Sequence, residues 1–257
     1  MKIAYASDLH LEYAPINLVN TENADVLVLA GDVCVNVGVL NYDPSDIIPC
    51  RFQNFFKECS EQFKNVIYIA GNHEHYYGDY KTTITELKQK LSHLPNIHVL
   101  DNEVALIDGV AFAGTTLWTD LNRNDPITKF NIMSIMNDYK VIDNFTPEDS
   151  YNAHIEALKF IDYVCQEHKE VIVVGHHTPS DLSVPEEYKR ETITNGGYRS
   201  DLSEFILDRQ NVKLWFCGHT HHVHQYNIGD TVIACNPRGY AGAEKSAFDF
   251  QLQYIEI

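Results

Sequence analysis

Basic residues are scarce in this sequence: 19 Lys and Arg stand against 36 Asp and Glu, which gives a formal net charge of −17. A protein that binds along a nucleic-acid backbone needs a basic face to replace the counterions of the phosphates. The small number of basic residues therefore argues against extended nucleic-acid binding. It does not exclude a small phosphate substrate, because bound divalent cations reverse the local charge of a site.

Long apolar runs and paired cysteines are also missing. No stretch approaches the roughly 20 apolar residues that span a bilayer, so we expect no membrane segment. Asp8 and His10 come too early in the chain for the apolar core of a signal peptide, and we expect a soluble, cytoplasmic protein. The six cysteines form no CxxC pair. In a chain of 257 residues, that scatter predicts reduced, mostly buried thiols without a disulfide framework.

Short apolar runs alternate with longer amphipathic segments, a pattern typical of an α/β fold with buried strands. The clearest predicted strands cover residues 3–7, 24–30, 65–70, 170–174 and 213–217, and further strands are predicted at 97–100, 103–107, 110–114, 231–235 and 248–255. Helices are predicted at 51–64, 79–94, 146–168 and 201–209. No repeat, low-complexity tract or flexible linker divides the chain, so we predict one domain over residues 1–257.

Local signals refine three segments. Thr146 and Pro147 are typical of a helix start, because the hydroxyl caps free amides and proline fits the first turn. Residues 178–198 are the longest loop-like stretch, and residues 133–139 are predicted to shape a lid or the wall of a pocket.

Polar side chains follow each of the five clearest strands at the point where the strand ends. The strands lead into Ser7-Asp8-Leu9-His10, Gly31-Asp32, Gly71-Asn72-His73-Glu74, Gly175-His176-His177 and Gly218-His219-Thr220-His221. Ligands of open α/β sheets bind at the carboxyl ends of the strands. These blocks therefore bring nitrogen and oxygen ligands without thiolates to one edge, a set that suits Mn, Fe or Zn. Two metal ions about 3.5–4 Å apart, sharing one carboxylate, would use nearly all of them.

In their order, the five blocks resemble the calcineurin-like metallophosphoesterase superfamily, whose pattern is DxH, GD, GNH followed by an acid, GHH or GHxx, and GHxH. The resemblance implies a four-layer αββα sandwich, with two packed sheets flanked by helices. It also implies a role for each candidate residue. Asp8, His10 and His221 would bind one metal ion, Asn72, His176 and His219 would bind the other, and Asp32 would bridge the two. His73 would be the catalytic residue that acts on the leaving group or the transition state.

The implied activity is hydrolysis of a small phosphoester by a hydroxide that bridges two divalent ions, with Mn²⁺, Fe²⁺/Fe³⁺ or Zn²⁺ as the candidate cofactors. Protein phosphatases of the superfamily typically continue GD with an arginine-containing block, whereas this chain continues Gly31-Asp32-Val33-Cys34-Val35-Asn36. Many other members carry a second acid near the position of Cys34 or Asn36. The chain also resembles small bacterial and phage-type members through its GTTLWTD block at 114–120 and its CNPRGY block at 235–240.

The main hypothesis is a metal-dependent phosphodiesterase that cleaves a small nucleotide-like substrate. The alternatives are a phosphomonoesterase of small metabolites or phosphoproteins, and a non-catalytic metal-binding scaffold. We expect no membrane partner.

Some residues outside the ligand set have two possible roles. His177 and Arg238 are candidates for substrate contact, with a structural role as the alternative for each. Trp118, Tyr76 and Tyr77 are candidates for stacking on a base, with core packing as the alternative. His222 and His224 are interpreted as solvated loop residues, with metal ligation as the alternative.

Overall fold

The computed structural model describes residues 1–35 and 47–257, with the backbone alone at residues 47–50. Its strands form two sheets, with the orders β11-β1-β2-β3-β4 and β5-β6-β7-β8-β10-β9. The bounds are β1 Lys2–Ala6, β2 Val26–Ala30, β3 Asn65–Ile69, β4 Ile97–Leu100, β5 Glu103–Ile107, β6 Val110–Gly114, β7 Val171–Val174, β8 Val212–Cys217, β9 His224–Ile228, β10 Thr231–Cys235 and β11 Gln253–Glu256.

The central strands of both sheets are parallel. β1, β2, β3 and β4 pair in parallel in the first sheet, and β6, β7, β8 and β10 do so in the second. The edge strands β11, β5 and β9 pair antiparallel with their neighbours. Because parallel strands point the same way, the carboxyl ends of β1, β2 and β3 lie along one edge of the first sheet, and those of β7 and β8 lie along one edge of the second.

Helices cover the outer face of each sheet. The α-helices of the described residues are Ile47–Gln62, Thr83–Leu91, Pro126–Ile135, Asp138–Val141, Pro147–Glu167, Thr192–Asn195, Ser203–Leu207 and Ser246–Asp249. Short 3-10 helices cover His73–His75, Asp181–Ser183 and Glu186–Tyr188, and Leu121–Asn124 is a turn with positive φ angles. None of these helices combines the length and the apolar composition that crossing a bilayer requires.

Three apolar clusters separate the layers. One cluster lies between the sheets and includes Val28 of β2 and Phe216 of β8. A second joins the first sheet to two helices through Phe52 and Leu87, and a third joins the second sheet to the Pro147–Glu167 helix. The resulting four layers confirm the α/β sandwich that the resemblance implied.

The alternation of side chains along β2 explains why its sequence is apolar throughout. Val26 and Val28 face the opposite sheet, whereas Leu27 and Leu29 face the helices. Successive side chains of a strand point to opposite faces, so a strand covered on both faces needs an apolar residue at every position.

Most of the predicted elements are confirmed, and two predictions are wrong. The segment 248–255 does not form one strand, because the chain is helical at Ser246–Asp249 and extended only at Gln253–Glu256. His224 is not a loop residue, because it begins β9, an edge strand whose residues alternate between exposed and partly buried. The helix Pro126–Ile135 was not predicted, and its mixed composition gives only a weak amphipathic pattern.

The cap at Thr146 forms as predicted. Its hydroxyl accepts a hydrogen bond from the Asp149 amide at 3.2 Å, and the Asp149 carboxylate accepts one from the Thr146 amide at 2.9 Å. The described cysteines are free thiols, and four of them are buried. The side chain of Cys50 and residue Asn36 lie outside the described residues.

Candidate metal centre

The backbone of the candidate ligands is unusual. Asp8, His10, Asp32, His219 and His221 have φ angles of 49°, 46°, 52°, 69° and 49°. Residues other than glycine rarely adopt such left-handed conformations, which cost about 1–3 kcal/mol each and persist only where the surroundings enforce them. Each strand therefore turns sharply where its polar side chain enters the site.

Glycines at the strand ends allow the ligands to approach one another. Gly31 has a φ of 85°, and a Cβ atom there would lie 2.5 Å from Nδ1 of His176. A Cβ atom on Gly218 would lie 2.7 Å from Oδ2 of Asp8. A larger residue at either position would push a neighbouring ligand away.

The first set of ligand atoms comes from Asp8, His10 and His221, and these atoms lie within 4.8 Å of one another. Nε2 of His10 is 3.1 Å from Nε2 of His221, and Nε2 of His221 is 3.5 Å from Oδ1 of Asp8. Two imidazole nitrogens and a carboxylate oxygen thus face a common point.

The second set comes from Asp32, His176 and His219, whose ligand atoms also lie within 4.8 Å of one another. Oδ1 of Asn72 joins them at 3.2 Å from Nε2 of His176. Nε2 of His219 is buried without a hydrogen-bond partner. A buried nitrogen without a partner is costly, and a cation at the centre of this set would supply the missing partner.

Asp32 lies between the two sets. Its Oδ2 atom is 3.4 Å from Nε2 of His176 in the second set and 3.9 Å from Nε2 of His10 in the first. A carboxylate in this position is suited to be shared by two cations. The residues present therefore fit a pair of metal ions.

The outer nitrogens of three ligand imidazoles are held by oxygen acceptors. Nδ1 of His10 donates to Glu12 at 3.0 Å, Nδ1 of His221 donates to Glu244 at 2.8 Å, and Nδ1 of His176 donates to the Ala30 carbonyl at 2.8 Å. Such contacts fix the tautomer and aim Nε2 at the metal position, as metal-binding histidines require.

Charge distribution in the site favours bound cations. Burial lowers the pKa of His176 and His221, but nearby carboxylates outweigh it and raise both to about 10. The responsible carboxylates are Asp32 for His176, and Asp8 with Glu244 for His221. Burial works against ionisation of Asp32, but the surrounding imidazoles hold its pKa well below the ordinary value. Protons and metal ions therefore compete for the same imidazole nitrogens.

His73 lies beside both sets. Its Nδ1 atom donates to Oε1 of Glu12 at 3.0 Å, and its Nε2 atom lies 3.4 Å from the hydroxyl of Tyr240. Burial lowers the pKa of His73, but the carboxylates of Asp32 and Glu12 raise it above the ordinary value. These two carboxylates therefore stabilise the protonated form of the ring relative to the neutral form.

Two buried acids position the loops that carry Asn72 and Asp32. Asp138 accepts hydrogen bonds from Nδ2 of the Asn72 side chain at 2.8 Å and from the hydroxyl of Tyr76 at 2.7 Å. Because Nδ2 of Asn72 is held by Asp138, Oδ1 of the same side chain faces His176. Glu74 accepts from the backbone amides of Asp32, Val33 and Gly71. The Glu74 carboxylate thus ties the ends of β2 and β3 together.

A cavity of about 740 Å³ opens over the candidate ligands. Its walls include Tyr76, Tyr188, Tyr198 and Tyr240 together with Met136. Met136 belongs to the segment 133–139, which was predicted to shape a pocket wall. Within the described parts of the chain, the lining contains acidic residues and no Lys or Arg.

His177 and Arg238 do not line this cavity. His177 is buried, with Nδ1 3.3 Å from the Thr116 carbonyl, and burial lowers its pKa to about 3. Arg238 donates to the carbonyls of Leu9, Ala14 and Pro15. These contacts favour the structural alternative for both residues.

The three aromatic residues predicted as candidates for base stacking also differ in whether they line the cavity. Tyr76 lines the cavity, whereas Trp118 is buried against Phe145 at a ring-centroid distance of 4.4 Å. Tyr77 is 68% exposed. Among these three aromatics, only Tyr76 is placed to meet a ligand of this cavity.

Sequence reasoning missed three acids: Glu12, Glu244 and Asp138. For Glu12 a signal exists, because the two-residue spacing of Asp8 and His10 continues to it. Glu244 and Asp138 lie 23 and 66 residues from their partners in the chain and belong to no motif block. Only the fold brings them to the site. Cys34, near the position where many superfamily members carry an acid, is fully buried, and Glu12 provides the carboxylate beside His73.

Known proteins resemble this chain in sequence and in fold. The sequence model of the calcineurin-like phosphoesterase family matches residues 1–223. The chain is 28% identical to the "Uncharacterized protein L509" of Acanthamoeba polyphaga mimivirus over 290 aligned positions, covering 99% of this chain and 96% of that protein.

Two solved structures share the fold at low sequence identity. The phosphopantetheinyl hydrolase PptH from Mycobacterium tuberculosis superposes with a TM-score of 0.69 at 14% identity, covering 99% of this chain and 95% of that one. A dimetal phosphatase from Danio rerio superposes with a TM-score of 0.52 at 14% identity, covering 91% of this chain and 86% of that one.

Proposed function

Because the chain belongs to the calcineurin-like phosphoesterase family, whose members are metal-dependent phosphohydrolases, we propose that it is a phosphodiesterase for a small nucleotide-like substrate. The observation that carries this proposal is the lining of the cavity over the candidate metal ligands. That lining is aromatic and acidic, without a Lys or Arg among the described residues.

The charge of the cavity favours a diester over a monoester. A phosphomonoester carries about 1.5–2 negative charges near pH 7 because its second pKa is about 6, whereas a diester carries one. Proteins that bind the more highly charged group commonly use Arg forks. Here Glu187 and Glu191 line the cavity instead, and they would repel a second negative charge. We therefore favour a substrate whose only charge lies on the phosphoryl group at the metal pair.

The size and the aromatic wall of the cavity favour an aromatic second ester group. Ligand pockets for small molecules span roughly 300–1,000 Å³, and this cavity of about 740 Å³ lies inside that range. Stacking of a base on an aromatic side chain is worth about 1–3 kcal/mol. Tyr76, Tyr188 and Tyr198 offer such surfaces.

For the metal pair, we propose two ions drawn from Mn²⁺, Fe²⁺/Fe³⁺ and Zn²⁺, held by two sets of residues. Asp8, His10 and His221 form one set, Asn72, His176 and His219 form the other, and Asp32 is shared by both. Bound ions would lower the pKa of water and stabilise the charge on the phosphoryl oxygens.

His73 is the proposed proton donor to the leaving oxygen. Glu12 holds its Nδ1 atom, which leaves Nε2 directed toward the cavity and Tyr240. A protonated imidazole held in this way is suited to general acid catalysis. The His73→Ala variant should retain its metal ions and lose most of its turnover with a poorly acidic leaving group, which metal analysis and steady-state kinetics measure.

A single domain over residues 1–257 and a cytoplasmic location remain part of the proposal. The scaffold alternative is not favoured, since it predicts missing ligands, and the full set of ligand residues converges in the structure.

The test compares three phosphate esters that share the p-nitrophenyl leaving group. The bis(p-nitrophenyl) diester carries a second ring, the methyl p-nitrophenyl diester does not, and p-nitrophenyl phosphate is a monoester. With Mn²⁺ saturating, we expect kcat/KM to be highest for the first and at least tenfold lower for the methyl diester. A preference for the monoester would contradict the proposal and indicate a phosphatase of small metabolites.

Variants of two exposed tyrosines distinguish the loss of a cavity-lining ring from the loss of an exposed tyrosine elsewhere. Tyr188 lines the cavity and is 48% exposed, whereas Tyr163 is 62% exposed on the Pro147–Glu167 helix outside it. We expect Tyr188→Ala to reduce kcat/KM for the two-ring diester several-fold without changing that for the methyl diester. Tyr163→Ala should change neither. An equal loss on both diesters in Tyr188→Ala would argue against stacking in this cavity.

A further inference from the structure

Two thiols and one imidazole lie side by side on adjacent strands of the second sheet, outside the candidate catalytic set. β8 and β10 end at Cys217 and Cys235, which are paired in register. β9 begins at His224, which is paired in register with Cys235. The two sulfur atoms and one imidazole nitrogen lie within 4.8 Å of one another. Both cysteines are 1% exposed, whereas His224 is partly buried at the edge of the sheet.

The tautomer of His224 leaves a lone pair facing the sulfur atoms. Nδ1 of His224 lies 2.9 Å from the carbonyl oxygen of His222. Because a carbonyl oxygen only accepts, Nδ1 carries the proton and Nε2 is free to accept. Nε2 lies 3.7 Å from Sγ of Cys217. Metal-binding histidines use the same arrangement, with one ring nitrogen donating to an oxygen and the other facing the ion.

The spacing matches that of a tetrahedral metal site. With a Zn–S distance of about 2.3 Å and a Zn–N distance of about 2.0–2.1 Å, two ligands at the tetrahedral angle lie about 3.6 Å apart. The observed separation of 3.7 Å between sulfur and nitrogen is close to this value. A direct S–H···N hydrogen bond is the competing explanation for this contact.

We propose that Cys217, His224 and Cys235 form a separate binding site for a thiophilic divalent cation of the Zn²⁺ class, with water as the fourth ligand. Thiolate and imidazole together select Zn²⁺ over Mn²⁺, so the site differs in chemistry from the nitrogen and oxygen set of the candidate catalytic centre. Its position at the sheet edge gives the cation access through His224.

The proposed cation joins three strands and fixes the end of β8. Cys217 directly precedes Gly218 and His219. A cation bound to Cys217 would therefore restrain the end of β8, which positions His219 in the second ligand set. The proposed role is structural, since none of the three residues lines the cavity.

The test titrates Co²⁺ into the full chain in a large excess of Mn²⁺, which competes for the catalytic centre, with cysteines kept reduced by a phosphine. A cobalt–thiolate bond gives a near-ultraviolet charge-transfer band, which a site of nitrogen and oxygen ligands lacks. We expect the band to saturate at one Co²⁺ per chain, and to remain in the Asp32→Asn variant because that change affects only the catalytic set. Absence of the band in the wild-type chain, with all cysteines titrating as thiols in denaturant, would overturn the proposal.

Ligand variants and a matched control complete the experiment. Cys235→Ser should abolish the band, and His224→Gln should weaken Co²⁺ binding at least tenfold. Cys165→Ser removes a thiol on the Pro147–Glu167 helix, outside the cluster, and should leave the band unchanged. A band that persists in Cys235→Ser, or a disulfide between Cys217 and Cys235 in the native chain, would overturn the proposal. Because the wild-type titration requires no variant, a poorly folded variant does not prevent the test.

Discussion

Glu12 offers the sharpest test of the proposed chemistry. Its Oε1 atom accepts hydrogen bonds from Nδ1 of both His10 and His73 at 3.0 Å. Burial raises its pKa, but the two imidazoles lower it below the ordinary value, so the side chain is a carboxylate. Glu12→Gln keeps the length of the side chain and removes its charge, and the protonated form of His73 then loses a buried counter-charge.

The size of the effect follows from the distance. Two unit charges about 4 Å apart attract by about 4 kcal/mol at an effective dielectric constant of 20. Gln retains a hydrogen bond from the charged ring worth about 2 kcal/mol, and the contribution of the Asp32 carboxylate is unchanged. We therefore expect a loss of about 2 kcal/mol in stabilisation of protonated His73, which corresponds to about 30-fold in rate.

The assay varies the leaving group. Diphenyl phosphate releases phenolate, a poor leaving group that needs a proton, whereas bis(p-nitrophenyl) phosphate releases p-nitrophenolate, which leaves without one. At saturating Mn²⁺, Glu12→Gln should lower kcat for the phenyl diester by about 30-fold and for the p-nitrophenyl diester much less.

The matched control is Glu22→Gln, because Glu22 pairs with Lys2 at the surface. This variant should behave as the wild type on both diesters. Mn²⁺ affinity is measured in parallel, since Glu12 also contacts His10. A kcat for the phenyl diester within twofold of the wild type, at saturating Mn²⁺, would refute the proposed link between Glu12 and proton donation.

Three further outcomes are expected. Thr146→Ala removes the cap of the Pro147–Glu167 helix and should cost about 1 kcal/mol, seen as a Tm about 2–4 °C lower. Burial holds the pKa of His154 below its ordinary value. Below about pH 6.5 the unfolded chain therefore binds a proton that the folded chain does not. The free energy of unfolding should then fall by up to about 1.4 kcal/mol for each pH unit. Denaturant unfolding at several pH values should show a shallower fall in His154→Gln, whereas the exposed His93→Gln should follow the wild type. Binding of Mn²⁺ near pH 7.5 should release protons, because the imidazoles of His176 and His221 have pKa values raised to about 10. Calorimetry in buffers of different ionisation enthalpy counts the released protons. A count of zero would contradict the assignment of these two residues as ligands.

The sequence predicts the central strands well because both of their faces are buried. β2 reads as VLVLA, apolar at every position, and the polar residues after such runs mark the strand ends. The convergence of Asp8 and Asp32 follows from the parallel pairing of β1 and β2, and His176 joins them because the second sheet packs against the first. That these residues bind metal ions stays a prediction, and metal analysis of variants tests it.

Edge elements of both sheets were harder to predict. β9 contains His224, Tyr226 and Asn227, and its exposed face gives it a polar composition close to that of a loop. Residues 248–252 carry three apolar side chains that favour a strand by composition, yet the chain is helical at Ser246–Asp249 and extended only from Gln253. Edge elements bury only part of their surface, so apolar patterning constrains them less.

The left-handed backbone at Asp8, His10, Asp32, His219 and His221 has a consequence for how this protein changes under selection. Glycine adopts such conformations at no steric cost, so replacement by glycine at these five positions relieves backbone strain while removing a side chain that the proposed chemistry requires. A library selected only for thermal survival should therefore accumulate glycine at these positions and lose hydrolysis in the same step. Selection for turnover should restore the original residues first at Asp32, because that carboxylate lies between both ligand sets.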